Sequence, residues 1–146
     1  MQLETTRFGL VDISPEDLLH FPAGVIGFED LCHWVLLADA ENEAVGWLHS
    51  ASRPETALPV VSPRRYIPHY RVRVARKEVE TLQLGRDNRA FVLAVLARTG
   101  EDLTANLKAP VIINLDRRLG RQVITSDDQP VQYVLSGPSA ELRKSA

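Results

Sequence analysis

The 146-residue sequence has one cysteine, Cys32, and no apolar run near the roughly 18 residues of a membrane-spanning helix. A single cysteine excludes an intramolecular disulfide and a cysteine metal cluster. The amino terminus, MQLETTRFGLVD, lacks the basic and then apolar pattern of a secretion signal. These absences predict a cytoplasmic protein with no membrane partner.

The net charge is small, and catalytic motifs are absent. The chain carries 17 basic and 19 acidic side chains, whereas general nucleic-acid binders normally have an excess of lysine and arginine. It has no GxGxxG or Walker phosphate loop, no GxSxG elbow, and no HxH, HxxxH or HExxH metal spacing. We therefore expect no enzymatic activity, no cofactor or metal, and no small-molecule substrate.

What the sequence does contain is a series of short segments rich in valine, isoleucine, leucine and aromatic residues, separated by glycine, proline or aspartate. This spacing is typical of an all-β domain. Strands are predicted at 2–6, 10–13, 33–38, 44–51, 59–62, 69–74, 90–98, 111–115, 122–126 and 131–135. Short helices are predicted at 15–20 and 75–84.

The connections between these strands favour antiparallel pairing. Parallel strands need crossover connections of a dozen or more residues, and only the segment around 76–84 is long enough. The sequence therefore predicts a small antiparallel β-barrel or closed sandwich with two short helices, because closure removes exposed sheet edges. We expect residues 1–135 to form one domain and the polar residues 136–146 to form a flexible C-terminal tail.

Two segments suggest alternative functions. The basic segment RRYIPHYRVRVARK interleaves tyrosines with arginines, as a single-stranded RNA interface does. The alternation of Tyr70 with Arg71 and Arg73 favours instead a strand whose arginines face water. His49 beside Ser50 suggests a hydrolase, yet neighbours on a strand point to opposite faces.

Polar residues mark two further connections. Asp39, Glu41 and Glu43 lie in LADAENEA, which is interpretable as a solvated loop or as an acidic surface for a basic protein partner. Asn106 interrupts the apolar stretch LTANLKAPVIIN and has three interpretations: a catalytic amide, a partner contact, or a structural residue that forms hydrogen bonds with nearby backbone. Asparagine readily bonds adjacent loop amides, which favours the structural role. Gly120 is predicted to supply a positive backbone angle in a hairpin connection.

Five motifs, in order, resemble the FliW family of flagellar assembly factors. They are FPAGVIGFED, WVLL, WLHSA, LTANLKAPVIIN and RRLGRQVI. The resemblance extends over nearly the whole chain to about residue 135, and His49 stands where the family usually has glutamine. The structural residues of these motifs are Phe21, Gly24, Gly27, Phe28, Thr104, Asn106, Pro110, Asn114 and Gly120.

The resemblance implies a non-enzymatic β-barrel with two protein partners, flagellin and the RNA-binding translational repressor CsrA. It implies that the free protein takes CsrA away from flagellin message, and that accumulated flagellin occupies the protein and restores repression. No direct binding of nucleic acid by this chain is expected. Partner contacts are expected at Asp39, Glu41, Glu43, Trp47 and His49. A single-stranded RNA-binding barrel using Arg71 and Arg73 remains the alternative.

Overall fold

The computed structural model describes residues 1–135, so the predicted tail at 136–146 lies outside the described residues. The strands of this part are β1 (Gln2–Thr5), β2 (Gly9–Asp12), β3 (Leu19–His20), β4 (His33–Ala38), β5 (Val45–Ser50), β6 (Ala57–Val61), β7 (Ala90–Thr99), β8 (Asp102–Ala105), β9 (Val111–Asn114), β10 (Leu119–Gln122) and β11 (Tyr133–Val134). One short α-helix, α1 (Arg76–Val79), continues as a 3₁₀ turn at Glu80–Leu82. Further 3₁₀ turns lie at Pro15–Asp17 and Pro63–Arg65. Within residues 1–135, no helix has the length and apolar character needed to cross a membrane.

The strands close into a near-barrel, which confirms the all-β prediction. One sheet runs in the order β11-β8-β7-β6-β5-β4-β3-β10-β9, and an additional β7–β9 pairing closes it. The β1–β2 hairpin forms a separate small sheet. One contact departs from the antiparallel prediction, because β3 and β10 pair in parallel through His20 and Leu119. These strands are far apart in the chain, so no short hairpin dictates their direction.

The long strand β7 changes partners along its length. Residues 90–93 pair with β9, 94–95 with β6, and 96–99 with β8. The β6 pairing ends at Val95 opposite Val60, although β6 itself extends back to Ala57. The two strands diverge beyond this point, and a groove opens between them.

The core fills the interior of the sheet with large apolar side chains. Phe21, Trp34, Leu48 and Ile113 are fully buried in one cluster. Gly120 lies in β10 against this cluster, where an added Cβ would be 2.2 Å from Phe21 Cζ. The predicted turn role of Gly120 is therefore wrong, since the positive angle of the connection belongs to Arg118 (φ 56°).

Two other element predictions fail because turns replace regular structure. The predicted helix at 15–20 is reduced to one turn, since Leu18 is already extended and His20 belongs to β3. The predicted strand at 69–74 is irregular, with the Tyr70 amide bonded to the Ile67 carbonyl at 3.0 Å. The alternation inferred there is nevertheless present, because the arginines are exposed and the tyrosine is buried.

Strand β8 is absent from the sequence prediction, and its burial explains why. Leu103, Thr104 and Ala105 are buried consecutively, so the strand lacks the two-residue alternation used for prediction. The predicted strand at 122–126 is displaced as well, because β10 ends at Gln122.

Candidate protein-binding groove

A groove of about 500 Å³ lies where β7 diverges from β6. Its lining comes from the β1–β2 turn, the β4–β5 connection, and strands β5 to β8. The apolar lining consists of Phe8, Ala40, Trp47, Pro59, Leu96, Ala97 and Leu103, and the charged rim consists of Arg7, Asp39, Glu41 and Arg98. We call this site the Trp47 groove.

Trp47 is held in place from three sides. Its Nε1 donates a hydrogen bond to Asp39 Oδ1 at 2.9 Å. The Arg7 guanidinium lies 3.9 Å from the indole centroid, and Phe8 makes an edge-on contact at 6.2 Å. A cation over an aromatic face is electrostatically favourable. An exposed Arg7 side chain therefore covers an indole that is only 7% exposed.

Asp39 is the structural centre of the β4–β5 connection. Besides binding Trp47, it accepts hydrogen bonds at Oδ2 from the amides of Glu41 at 3.1 Å and Asn42 at 2.9 Å. Burial opposes ionisation of Asp39, but these hydrogen bonds and the nearby Arg7 charge outweigh it and lower the pKa of the carboxyl. The Asp39 carboxylate therefore stabilises its own loop through the amides of Glu41 and Asn42.

The other acidic residues of this connection face solvent. Glu41 and Glu43 are both exposed, and Glu41 also lines the groove. The structure therefore brings Asp39, Glu41 and Trp47 together, while Glu43 lies in the same connection outside the groove lining.

His49 lies below the surface. It is 1% exposed, and its Nδ1 is 2.7 Å from the carbonyl oxygen of Ser50. The Ser50 hydroxyl oxygen instead accepts bonds from the amides of Ser52 and Arg53 at 3.2 and 3.0 Å. The two side chains do not form the pair that a hydrolase needs. His49 instead lines a smaller pocket of about 360 Å³ together with Arg7 and Trp47.

Asn106 and Asn114 bond to the backbone around them. Asn106 Oδ1 accepts hydrogen bonds from the amides of Lys108 at 3.0 Å and Ala109 at 3.1 Å. Asn114 is fully buried, and its Nδ2 donates to the Leu82 carbonyl at 2.8 Å. Neither residue lines the Trp47 groove, although Asn106 borders a smaller groove of about 270 Å³.

The remaining motif residues shape the core and its loops. Gly24 has φ +66°, and an added Cβ there would lie 2.5 Å from the Phe28 carbonyl oxygen. Phe28 packs edge-on against Trp34 with centroids 6.3 Å apart. Thr104 Oγ1 donates to the Ala97 carbonyl at 3.2 Å. Gly27 (φ +91°) and the buried Pro110, whose carbonyl accepts from the Val123 amide at 3.0 Å, complete this set.

The basic segment turns its tyrosines inward. Tyr70 is 3% exposed, and its hydroxyl donates to the Leu107 carbonyl at 2.6 Å. Burial raises the pKa of Tyr70 to about 12. Arg71 and Arg73 are exposed, and Arg73 Nε lies 3.8 Å from an oxygen of Asp127.

Sequence reasoning missed the turn residues of the groove. Arg7 and Phe8 lie between the predicted strands 2–6 and 10–13, and a cation beside an aromatic ring at such a turn is a signal of a contact site. Leu96 and Leu103 became groove residues only through the β7–β8 pairing, which local patterns do not reveal.

Together, the fold and the groove define a small β-barrel protein whose candidate site is apolar at its floor and charged at its rim, the kind of site that binds another protein. The chain belongs to the FliW protein family, whose family model matches residues 2–135.

The similarity to its relatives extends along most of their length. The flagellar assembly factor FliW of Moorella thermoacetica is 41% identical over 127 residues, covering 85% of this chain and 80% of the relative. The flagellar assembly factor FliW of Bdellovibrio bacteriovorus is 36% identical over 130 residues, covering 88% and 74%. A crystal structure of the flagellar assembly factor FliW matches with a TM-score of 0.85 at 28% identity, covering 94% of this chain and 98% of that one.

Proposed function

We propose that this protein is a cytoplasmic, non-enzymatic flagellar assembly factor that binds flagellin and the translational repressor CsrA in exchange. Family membership and the names of the relatives support the assembly role. The two partners come from the FliW resemblance in the sequence. The Trp47 groove is the observation that gives the exchange a physical site.

The apolar part of the groove suits an amphipathic helix of flagellin. Such helices dock their apolar face in grooves, and buried aromatic residues commonly supply much of the binding energy. The half-buried Phe8 lines this part of the groove beside Trp47, Leu96 and Leu103, which are 7%, 4% and 6% exposed. Displacement of the exposed Arg7 by the incoming helix would open the indole face.

The acidic rim suits CsrA. An RNA-binding protein presents a basic surface, and exposed carboxylates attract such a surface over a distance. Glu41 and Glu43 are the exposed carboxylates of the β4–β5 connection. Because Glu41 also lines the Trp47 groove, the binding sites of a helix in the groove and of CsrA on the rim would overlap, and the two partners would compete.

The RNA-binding alternative lacks an exposed tyrosine platform. Single-stranded nucleic acid binds by stacking its bases on exposed aromatic rings as well as by phosphate contacts. Tyr70 is buried and Tyr66 is half-buried, so neither tyrosine of the basic segment offers a free ring beside the arginines. This arrangement favours a protein partner over RNA.

Titration calorimetry with purified flagellin and purified CsrA tests the proposal. Phe8→Ala removes aromatic surface from an exposed turn of the groove, and we expect it to weaken flagellin binding at least tenfold. Phe91→Ala is the matched control, because Phe91 is 45% exposed and lies outside the groove lining. Unchanged flagellin binding by a folded Phe8→Ala variant would show that flagellin does not bind in the Trp47 groove. Failure of the wild-type chain to bind either partner would overturn the function itself.

A further inference from the structure

Two histidines form an exposed cross-strand pair on β3 and β4. His20 and His33 are direct partners in the antiparallel register of these strands. Their imidazole centroids are 5.3 Å apart and their ring planes are inclined by 23°. From this geometry we propose that the pair is a binding site for a divalent cation that prefers imidazole ligands, such as Zn²⁺, Ni²⁺ or Cu²⁺.

The strand alternation holds both rings on the outer face. The neighbouring residues Leu19 and Trp34 point into the core and are 5% and 0% exposed. His20 and His33 are therefore directed to solvent on the opposite face. Neither imidazole has a hydrogen-bonding partner within residues 1–135, so their nitrogens are available to a ligand there.

The spacing of the rings suits one metal ion. Zinc binds histidine nitrogen at about 2.0–2.1 Å, which places two nitrogens of a tetrahedral site about 3.3 Å apart. A small inward tilt of two exposed rings whose centroids are 5.3 Å apart brings one nitrogen of each to that separation. Water would complete the coordination, because no cluster of three or more His, Cys, Asp or Glu side chains occurs in the part of the chain that the structure describes.

The chemistry of the pair selects the class of metal. Imidazole suits zinc, copper and nickel, whereas magnesium and calcium prefer oxygen ligands. The site has two imidazoles and no carboxylate in a third ligand position. Zn²⁺ should therefore bind, and Mg²⁺ should not.

The position of the pair gives metal binding a structural consequence. The two-residue strand β3 joins β4 to β10 in the closed sheet, and its contact with β10 is the single pair of His20 with Leu119. A metal between His20 and His33 would tie β3 to β4 at this seam. A ligand that binds the folded chain and not the unfolded one raises the melting temperature.

Titration of the full chain with ZnCl₂, followed by calorimetry and by the imidazole resonances in NMR, tests the proposal. We expect Zn²⁺ to shift the resonances of His20 and His33 together and to raise the melting temperature. His20→Gln and His33→Gln should each lower the Zn²⁺ affinity at least tenfold. His69→Gln is the matched control, because His69 is also exposed and lies outside the pair. It should bind Zn²⁺ like the wild type.

Three results would overturn the proposal. One is a wild-type chain that does not bind Zn²⁺ at about 1 mM. Another is full Zn²⁺ affinity in the His20→Gln/His33→Gln double variant. The third is equal binding of Mg²⁺, which would indicate general attraction of cations. Melting curves without metal show whether each variant is folded.

Discussion

At the residue scale, the polar Asn106 occurs in an apolar segment because its side chain forms hydrogen bonds with backbone amides of the adjoining turn. Asn106 follows β8 directly and accepts two amide hydrogens of the turn that leads to β9. Its own amide donates to the Val95 carbonyl at 2.9 Å. Side chain and backbone together thus fix the path of the chain between two strands that pair with β7.

Asn106→Ala should lower the free energy of unfolding by roughly 1–3 kcal/mol, because two turn amides lose their acceptor. Asn106→Asp keeps an oxygen acceptor and should retain most of the stability. Chemical denaturation at fixed pH measures both variants. A stable Asn106→Ala variant that no longer binds its protein partners would instead identify the residue as a contact.

Asp39 predicts a pH dependence. Its pKa is lower in the folded chain than the usual 3.8, so ionised Asp39 stabilises the fold. That stabilisation is complete at neutral pH and is lost as the pH falls through the depressed folded value. Asp39→Asn should therefore be less stable than the wild type at pH 7, and the difference should shrink below about pH 3.8. A difference that stays constant from pH 7 to pH 2 would contradict this role.

At the scale of elements, the partner changes of β7 create the site. Strand β7 pairs with β9, β6 and β8 in turn, so it runs alongside each of them for only part of its length. The Trp47 groove lies where β7 diverges from β6. The β1–β2 hairpin closes one end of this groove through Arg7 and Phe8. The groove therefore depends on pairings that are distant in sequence.

The basic segment between β6 and α1 gives a prediction at the same scale. Arg71 and Arg73 are exposed, while Tyr70 anchors the segment to the core. Arg71→Ser/Arg73→Ser should keep its melting temperature within a few degrees and bind flagellin as the wild type does. Filter binding with single-stranded RNA is the counter-test. Strong RNA binding by the wild type, sensitive to salt and absent from the variant, would favour the RNA-binding alternative.

Local patterns in the sequence predict which segments form strands better than they predict the long-range pairings that close the sheet. The β1–β2 hairpin and strand β4 follow from alternation and turn residues, and both are present. Strand β8 escaped prediction because three of its four residues are buried, so its two faces do not alternate in polarity. Gly120 was misassigned because its role depends on Phe21, which lies almost a hundred residues earlier in the chain. Of the candidate site, the sequence indicated Asp39, Glu41 and Trp47, but their proximity to Arg7 and Leu103 requires the closed sheet.

At the scale of the whole molecule, charge separates the two proposed partners. Glu41→Gln/Glu43→Gln should slow association with CsrA, with a larger effect at low salt, because exposed charges steer more than they hold. Flagellin affinity should change less. Glu16→Gln/Glu80→Gln removes the same charge from other exposed positions and is the control. Equal CsrA association rates for both double variants at low salt would contradict a specific acidic rim.

The most direct test of the account is a three-component exchange. CsrA is mixed with this protein and a labelled flagellin message, and the fraction of message bound by CsrA is followed by fluorescence anisotropy while flagellin is added. Partner exchange predicts that this protein lowers the bound fraction and that flagellin restores it. A bound fraction that ignores flagellin, or a message that this protein binds without CsrA, would contradict partner exchange.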